Sequence, residues 1–139
     1  MLDLKDLLLR EPALTLATAE SMTCGRIQAR IGAISGASKF FLGGITAYTI
    51  DQKVHHLGVD RALAESCNAV SSEIAEQMAI GACQLFGASL GVATTGYAEN
   101  PVGRTHPFAW WALAHYLGDG RMAVQSGLIE CPGASRTVA

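Results

Sequence analysis

Apolar positions recur along this chain with two different periods, and the way those periods alternate predicts its elements. Leu2, Leu4, Leu7, Leu8 and Leu9, interrupted by Asp3, Lys5, Asp6 and Arg10, predict a short amphipathic helix at the start. Pro12 breaks it, and Leu14 to Ala19 reads as a short, mostly buried strand. Ile27, Ile31 and Ile34 then fall at helical spacing within a helix over 22–34, with Ser21 as its N-cap and Gly36 near its stop. Residues 43–49 predict a second strand, and 51–57 a short helix closed by Gly58. Ser71-Ser72-Glu73 opens a longer helix to about Phe86, with a predicted apolar stripe of Ile74, Met78, Ala82 and Leu85. Residues 89–95 form a third strand, and 96–107 carry the Gly, Asn and Pro content of a loop. Residues 108–115 and 122–129 predict two strands joined by a hairpin turn at Leu117 to Gly120.

Strands alternating with helices over most of the length predict one three-layer α/β/α domain spanning 1–139, with a mixed, largely parallel sheet. The chain shows no internal repeat, low-complexity tract or linker. With 139 residues, 50% of them apolar and 16% charged, it has the composition of a compact domain that buries a core.

A net charge of -2 leaves no electrostatic footprint for a nucleic-acid backbone. The leucine-rich start is too short and too charged for a membrane span or a signal peptide. A cytoplasmic protein with no nucleic-acid and no membrane partner is therefore expected. Cys24, Cys67, Cys83 and Cys131 are scattered and form no Cys-x-x-Cys pair, which predicts reduced thiols and no metal site.

In α/β sheets, ligands collect where strands end and helices begin. Three segments meet that description: Glu20 to Gly25, Tyr48 to Lys53, and Thr95-Gly96. Taken singly, each residue has a plain structural role. Ser21 is a good helix cap, Ser38 a loop hydroxyl, Lys53 a solvated helix lysine, Tyr48 a packed strand residue, Thr95 a strand-end residue and Gly96 a turn glycine.

Together they resemble a known family. Ala17-Thr18-Ala19-Glu20-Ser21-Met22-Thr23-Cys24-Gly25 resembles A-T-A-E-S-C-T-G-G, and Ser35-Gly36-Ala37-Ser38 resembles P-G-S-S, of the nicotinamide mononucleotide deamidase family, the C-terminal domain of competence/damage-inducible CinA proteins. Gly43 to Tyr48 with Lys53 is similar to its G-G-V-V-A-Y-S-N-E-A-K. The segments His56 to Val59, Ala69 to Glu73, Thr95-Gly96 and Pro101 to Gly103 follow its motifs in order.

The resemblance implies hydrolysis of a carboxamide, converting nicotinamide mononucleotide and water to nicotinic acid mononucleotide and ammonia. Such an amidohydrolase needs a nucleophile, a base, an oxyanion stabiliser and a hold on the nucleotide. The matched positions assign Ser21, Ser38, Tyr48 and Lys53 to catalysis, with Lys53 as base and Ser21, ahead of Ser38, as first choice of nucleophile. Glu20, Thr23, Gly25, Thr95 and Gly96 are assigned to substrate binding, and Arg136 to the phosphate. Amides at the N-terminus of the helix after Ser21 are expected to reach an oxyanion or a phosphate. No cofactor is required, and a homo-oligomer is implied.

The chain also departs from that pattern. Cys24 replaces a glycine, Ile50-Asp51 replaces Asn-Glu, and Tyr97 to Asn100 replace a longer glycine-rich loop that begins T-G-I-A-G-P. The family's last helix is expected to be lacking after Ala139. Two rivals follow: a catalytically weak relative that binds a nucleotide or a protein partner, and a cysteine-dependent enzyme using Cys24.

Overall fold

The computed structural model describes residues 3–97 and 107–130. Its first strand, β1 (Leu16–Glu20), is an interior strand, buried at every position because neighbours flank it and helices cover both its faces. β2 (Phe41–Thr46) and β3 (Leu90–Tyr97) lie on either side of β1 and parallel to it. β4 (Phe108–Gly118) and β5 (Arg121–Glu130) continue the sheet antiparallel, giving the order β2-β1-β3-β4-β5. The predicted α/β class holds, but the sheet is evenly mixed rather than largely parallel. The tight turn through Asp119 and Gly120, at positive φ, makes β4 and β5 the expected antiparallel hairpin, and β4 also runs antiparallel to β3, so two of the four pairings are of each kind.

Side-chain alternation divides the core between two faces. Leu16 of β1 packs with Leu8 of α1 (Leu4–Leu9), Ile31 of α2 (Arg26–Gly32) and Phe40. Ala17 and Ala19 point the other way, into a cluster with α3 (Ile50–Leu57), α4 (Arg61–Ser66) and α5 (Ser72–Phe86). The helices therefore form a layer on each side of the sheet.

α5 behaves much as its sequence predicts. The Ser71 hydroxyl accepts from the Ile74 amide at its start, and left-handed Gly87 ends it. Ile74, Met78 and Ala82 are fully buried, but Leu85 is exposed, and Ala75, Ala79 and Cys83 take the rest of the contact. Small side chains bring this helix so close to β3 that a Cβ on Gly91 would strike the Ala79 carbonyl. Helix α4 lies in a stretch for which no element was predicted. Its signal was Asp60, which caps it by accepting from the Leu63 amide.

α2 starts four residues later than predicted. Ser21 is not its N-cap; that position is Gly25, at φ 93°, preceded by Cys24 at φ 50°. A side chain in the left-handed region is strained, so Cys24→Gly is expected to stabilise the domain by about 0.5–1 kcal/mol. Urea unfolding of the two proteins measures the difference. Among the described residues, no helix is long and apolar enough to cross a membrane.

Candidate active site

Chain connections leaving β1 and β2 cross opposite faces of the sheet, since α2 leads to β2 on one side and α3 to α5 lead to β3 on the other. The carboxyl ends of β1 and β3 are therefore the switch point at which a crevice opens. A cavity of about 520 Å³ lies there, and Ser21, Tyr48, Lys53, Asn68, Thr95 and Tyr97 are among its lining residues.

The crevice rests on a buried carboxylate. Glu20, the last residue of β1, has no solvent exposure. Its Oε1 accepts from the Thr23 hydroxyl at 2.7 Å and the Ile27 amide at 2.9 Å, and its Oε2 accepts from the Gln28 amide at 2.9 Å. The Arg26 and Ala29 amides bond to the Thr23 and Gly25 carbonyls. Every amide at the start of α2 is thus engaged within the protein, and the expected oxyanion or phosphate donors are not offered there. The strand-end acid caps the helix in place of a serine, which explains the late start of α2. Glu20 and Thr23, expected among substrate ligands, are held in this buried lock, with Thr23 also bonded to the Thr94 hydroxyl at 2.9 Å. Gly25 serves the turn.

Immediately after Glu20 the chain turns and presents Ser21 to the cavity. Thr49 caps α3, and Lys53 lies one turn inside it with only 2% of its surface exposed. Its Nζ is 2.9 Å from Ser21 Oγ and 2.8 Å from the Tyr48 carbonyl. Burial pushes the Lys53 ammonium down from its ordinary 10.5 to about 8, because desolvation penalises the charged form. A lysine so placed gives up its proton far more readily than an exposed one and, once neutral, can accept one from the serine.

Structure and expectation part over Ser38. It lies in the 3-10 turn Ala37–Lys39 before the start of β2, whereas Ser21 follows the end of β1. The two strands are parallel with Leu16 opposite Phe41 and Glu20 opposite Thr46, so the two serines sit at opposite ends of the sheet. The four expected catalytic residues therefore do not share one cleft in this chain: Ser21, Lys53 and Tyr48 do. The Tyr48 side chain, 52% exposed, lines the mouth.

Thr95 reaches the cavity, but its hydroxyl donates to the Ala69 carbonyl at 2.6 Å. Gly96 is needed for close packing, since a Cβ there would strike the Phe108 carbonyl, the Ala109 backbone and the Met22 sulfur. Cys24 is exposed and is not among the residues lining the cavity. Arg136 lies outside the described residues. The sequence reading missed Asn68, Tyr97 and the rim formed by Arg61 and Asp51, whose guanidinium and carboxylate meet at 2.6 Å. Asp51 and Tyr97 stand out in the sequence only as departures from the family pattern, and Asn68 and Arg61 carry no motif; they converge because α3, α4 with the turn after it, and the end of β3 fold toward the same crevice.

Comparison with known proteins places this arrangement. The model of the CinA C-terminal domain family matches residues 3–109. A CinA-like protein of Mycobacterium marinum is 41% identical over 120 residues, covering 85% of this chain and 28% of that protein. One from Chlorobium limicola is 36% identical over 133 residues, covering 91% and 30%. The chain thus spans less than a third of the length of these relatives. Among solved structures, the competence/damage-inducible protein of Agrobacterium tumefaciens superposes with a TM-score of 0.82 at 30% identity, covering 93% of this chain and 78% of that one. A CinA superfamily protein of Escherichia coli gives a TM-score of 0.80, also at 30% identity, covering 94% and 74%. The family model matches more than half of the chain, which belongs to the CinA C-terminal domain family.

Proposed function

We propose that this domain is an amidohydrolase acting on a pyridine nucleotide, and that it converts nicotinamide mononucleotide and water to nicotinic acid mononucleotide and ammonia. The observation that carries this reading is the buried Lys53 amine 2.9 Å from the Ser21 hydroxyl, both lining a nucleotide-sized cavity. Neutral Lys53 takes the Ser21 proton as Oγ attacks the carboxamide carbon. The resulting ammonium stands beside the oxyanion and then delivers the proton to the departing ammonia. In the second half, water attacks the acyl-serine, Lys53 receives its proton and returns it to Ser21 Oγ, and the carboxylate product leaves. The Tyr48 carbonyl fixes the amine throughout. No metal or organic cofactor enters these steps, and a small phosphorylated substrate with reduced thiols suits a cytoplasmic, self-associating enzyme.

Incubating the pure protein with nicotinamide mononucleotide and measuring ammonia tests the reading; release above that of the buffer supports it, and none opposes it. Because the amides of α2 are engaged and offer the oxyanion no donor, a second reading is a cleft that binds a nucleotide through its other walls without turning it over. A rise in Tm with nucleotide but no ammonia marks that case.

A further inference from the structure

The wall of the cavity facing Lys53 has a construction that the hydrolytic steps do not use. Asn68 and Ala69, between α4 and α5, both adopt left-handed backbone, at φ 52° and 57°, though neither is glycine. Asparagine tolerates that region, but alanine there is strained, and such strain persists only where surroundings enforce it, as at ligand sites. Here β3 supplies the enforcement. The Thr95 hydroxyl holds the Ala69 carbonyl at 2.6 Å, and the Tyr97 hydroxyl accepts from Asn68 Nδ2 at 3.1 Å. Thr95 and Tyr97 are two residues apart on one strand and so share the face that looks into the crevice. The Tyr97 ring is backed by Phe108, its cross-strand partner, with centroids 5.4 Å apart and planes at 58°.

The geometry points to Tyr97, fixed by Asn68 and Phe108, as the specificity determinant that receives the planar ring of the substrate. This inference rests on the proposed reading of the site and adds the group that selects its substrate. The Tyr97 hydroxyl is already engaged by Asn68 and the Thr95 hydroxyl by Ala69, so what Tyr97 brings to the cavity is chiefly ring surface. An aromatic platform discriminates by stacking on any flat ring and is indifferent to a sugar phosphate without one. Tyr97 also stands in the segment where this chain departs from the family's T-G-I-A-G-P, so the selectivity belongs to this chain.

The test measures equilibrium binding by calorimetry in a Ser21→Ala background, so that nothing turns over, using nicotinamide mononucleotide and ring-less ribose 5-phosphate. Tyr97→Ala is expected to weaken the nucleotide by about tenfold and ribose 5-phosphate by less than about twofold. Tyr97→Phe, which keeps the ring, should stay within about threefold of the parent for the nucleotide. Asn68→Gly keeps the left-handed backbone yet frees the Tyr97 hydroxyl, and should weaken the nucleotide less than Tyr97→Ala does. In the Ser21-containing protein, Tyr97→Ala should raise KM far more than it lowers kcat. Equal loss of both ligands in Tyr97→Ala, or no loss of either, overturns the inference, as does a parent protein that binds neither. Ring-dependent binding with no ammonia release from the Ser21-containing protein sinks the hydrolase reading alone and leaves this one standing.

Discussion

Replacing Lys53 with Met is expected to lower ammonia release from nicotinamide mononucleotide by about a thousandfold or more while leaving Tm at or above that of the wild type. The loss of rate follows from geometry, because Lys53 Nζ is the only amine within hydrogen-bond reach of Ser21 Oγ among the described residues. The stability effect follows from the pKa. With Lys53 lowered from 10.5 to about 8 by burial, the unfolded chain binds that proton more readily than the folded one between those two values. Lysine therefore weighs against folding below pH 8, and the penalty fades as pH rises from about 8 to 10.5. Methionine, similar in length and apolar, removes the penalty, offset in part by a Tyr48 carbonyl that loses a donor. Ser21→Ala should be equally inactive, and the double variant no worse than either single one, since residues that act as a unit are not additive. Thermal unfolding beside the ammonia assay checks both halves; a Lys53→Met protein that is unfolded or fully active speaks against the account.

The largest effect on stability is expected at Glu20. Its carboxylate has no exposure and accepts three hydrogen bonds, two of them from the first turn of a helix with no other side-chain cap. Glu20→Ala leaves the Ile27 and Gln28 amides without partners and opens a void, which should cost on the order of 3–5 kcal/mol. For a domain of this size, that lowers Tm by roughly 10 °C or more. Glu20→Gln should fall between the two proteins, since an amide keeps the volume but turns a donor toward an N–H. A Tm within about 2 °C of wild type for Glu20→Ala would show that α2 is held by something else.

Elements with a strong period or a clear cap were legible in the sequence. α5 announced itself through Ser71 and Gly87, and α3 through Gly58, because capping is a local contest that nearby residues decide. The start of α2 was misread for the opposite reason. Ser21 looks like a cap, but the acid beside it outcompetes it from the strand end, and only the fold brings that carboxylate over the helix. The β4–β5 hairpin was legible in the turn at Asp119-Gly120, but nothing local says that β4 would also run antiparallel to β3.

The site divides along the same line. Ser21 and Lys53 are 32 positions apart yet were found through motif order, and the structure joins them. Ser38 carried an equally good motif, but a strand's length separates it from the cleft. Asn68 and Tyr97 carried no motif, since their pairing depends on a left-handed turn that no residue type there requires.

Activation of Ser21 by a neutral Lys53 is read out in the pH dependence of kcat/KM for ammonia release. The value should rise by about tenfold per pH unit below the lysine's pKa and level near pH 8, with no such limb in Lys53→Met. A profile that is flat from pH 6 to pH 9, or one that Lys53→Met reproduces, would contradict it.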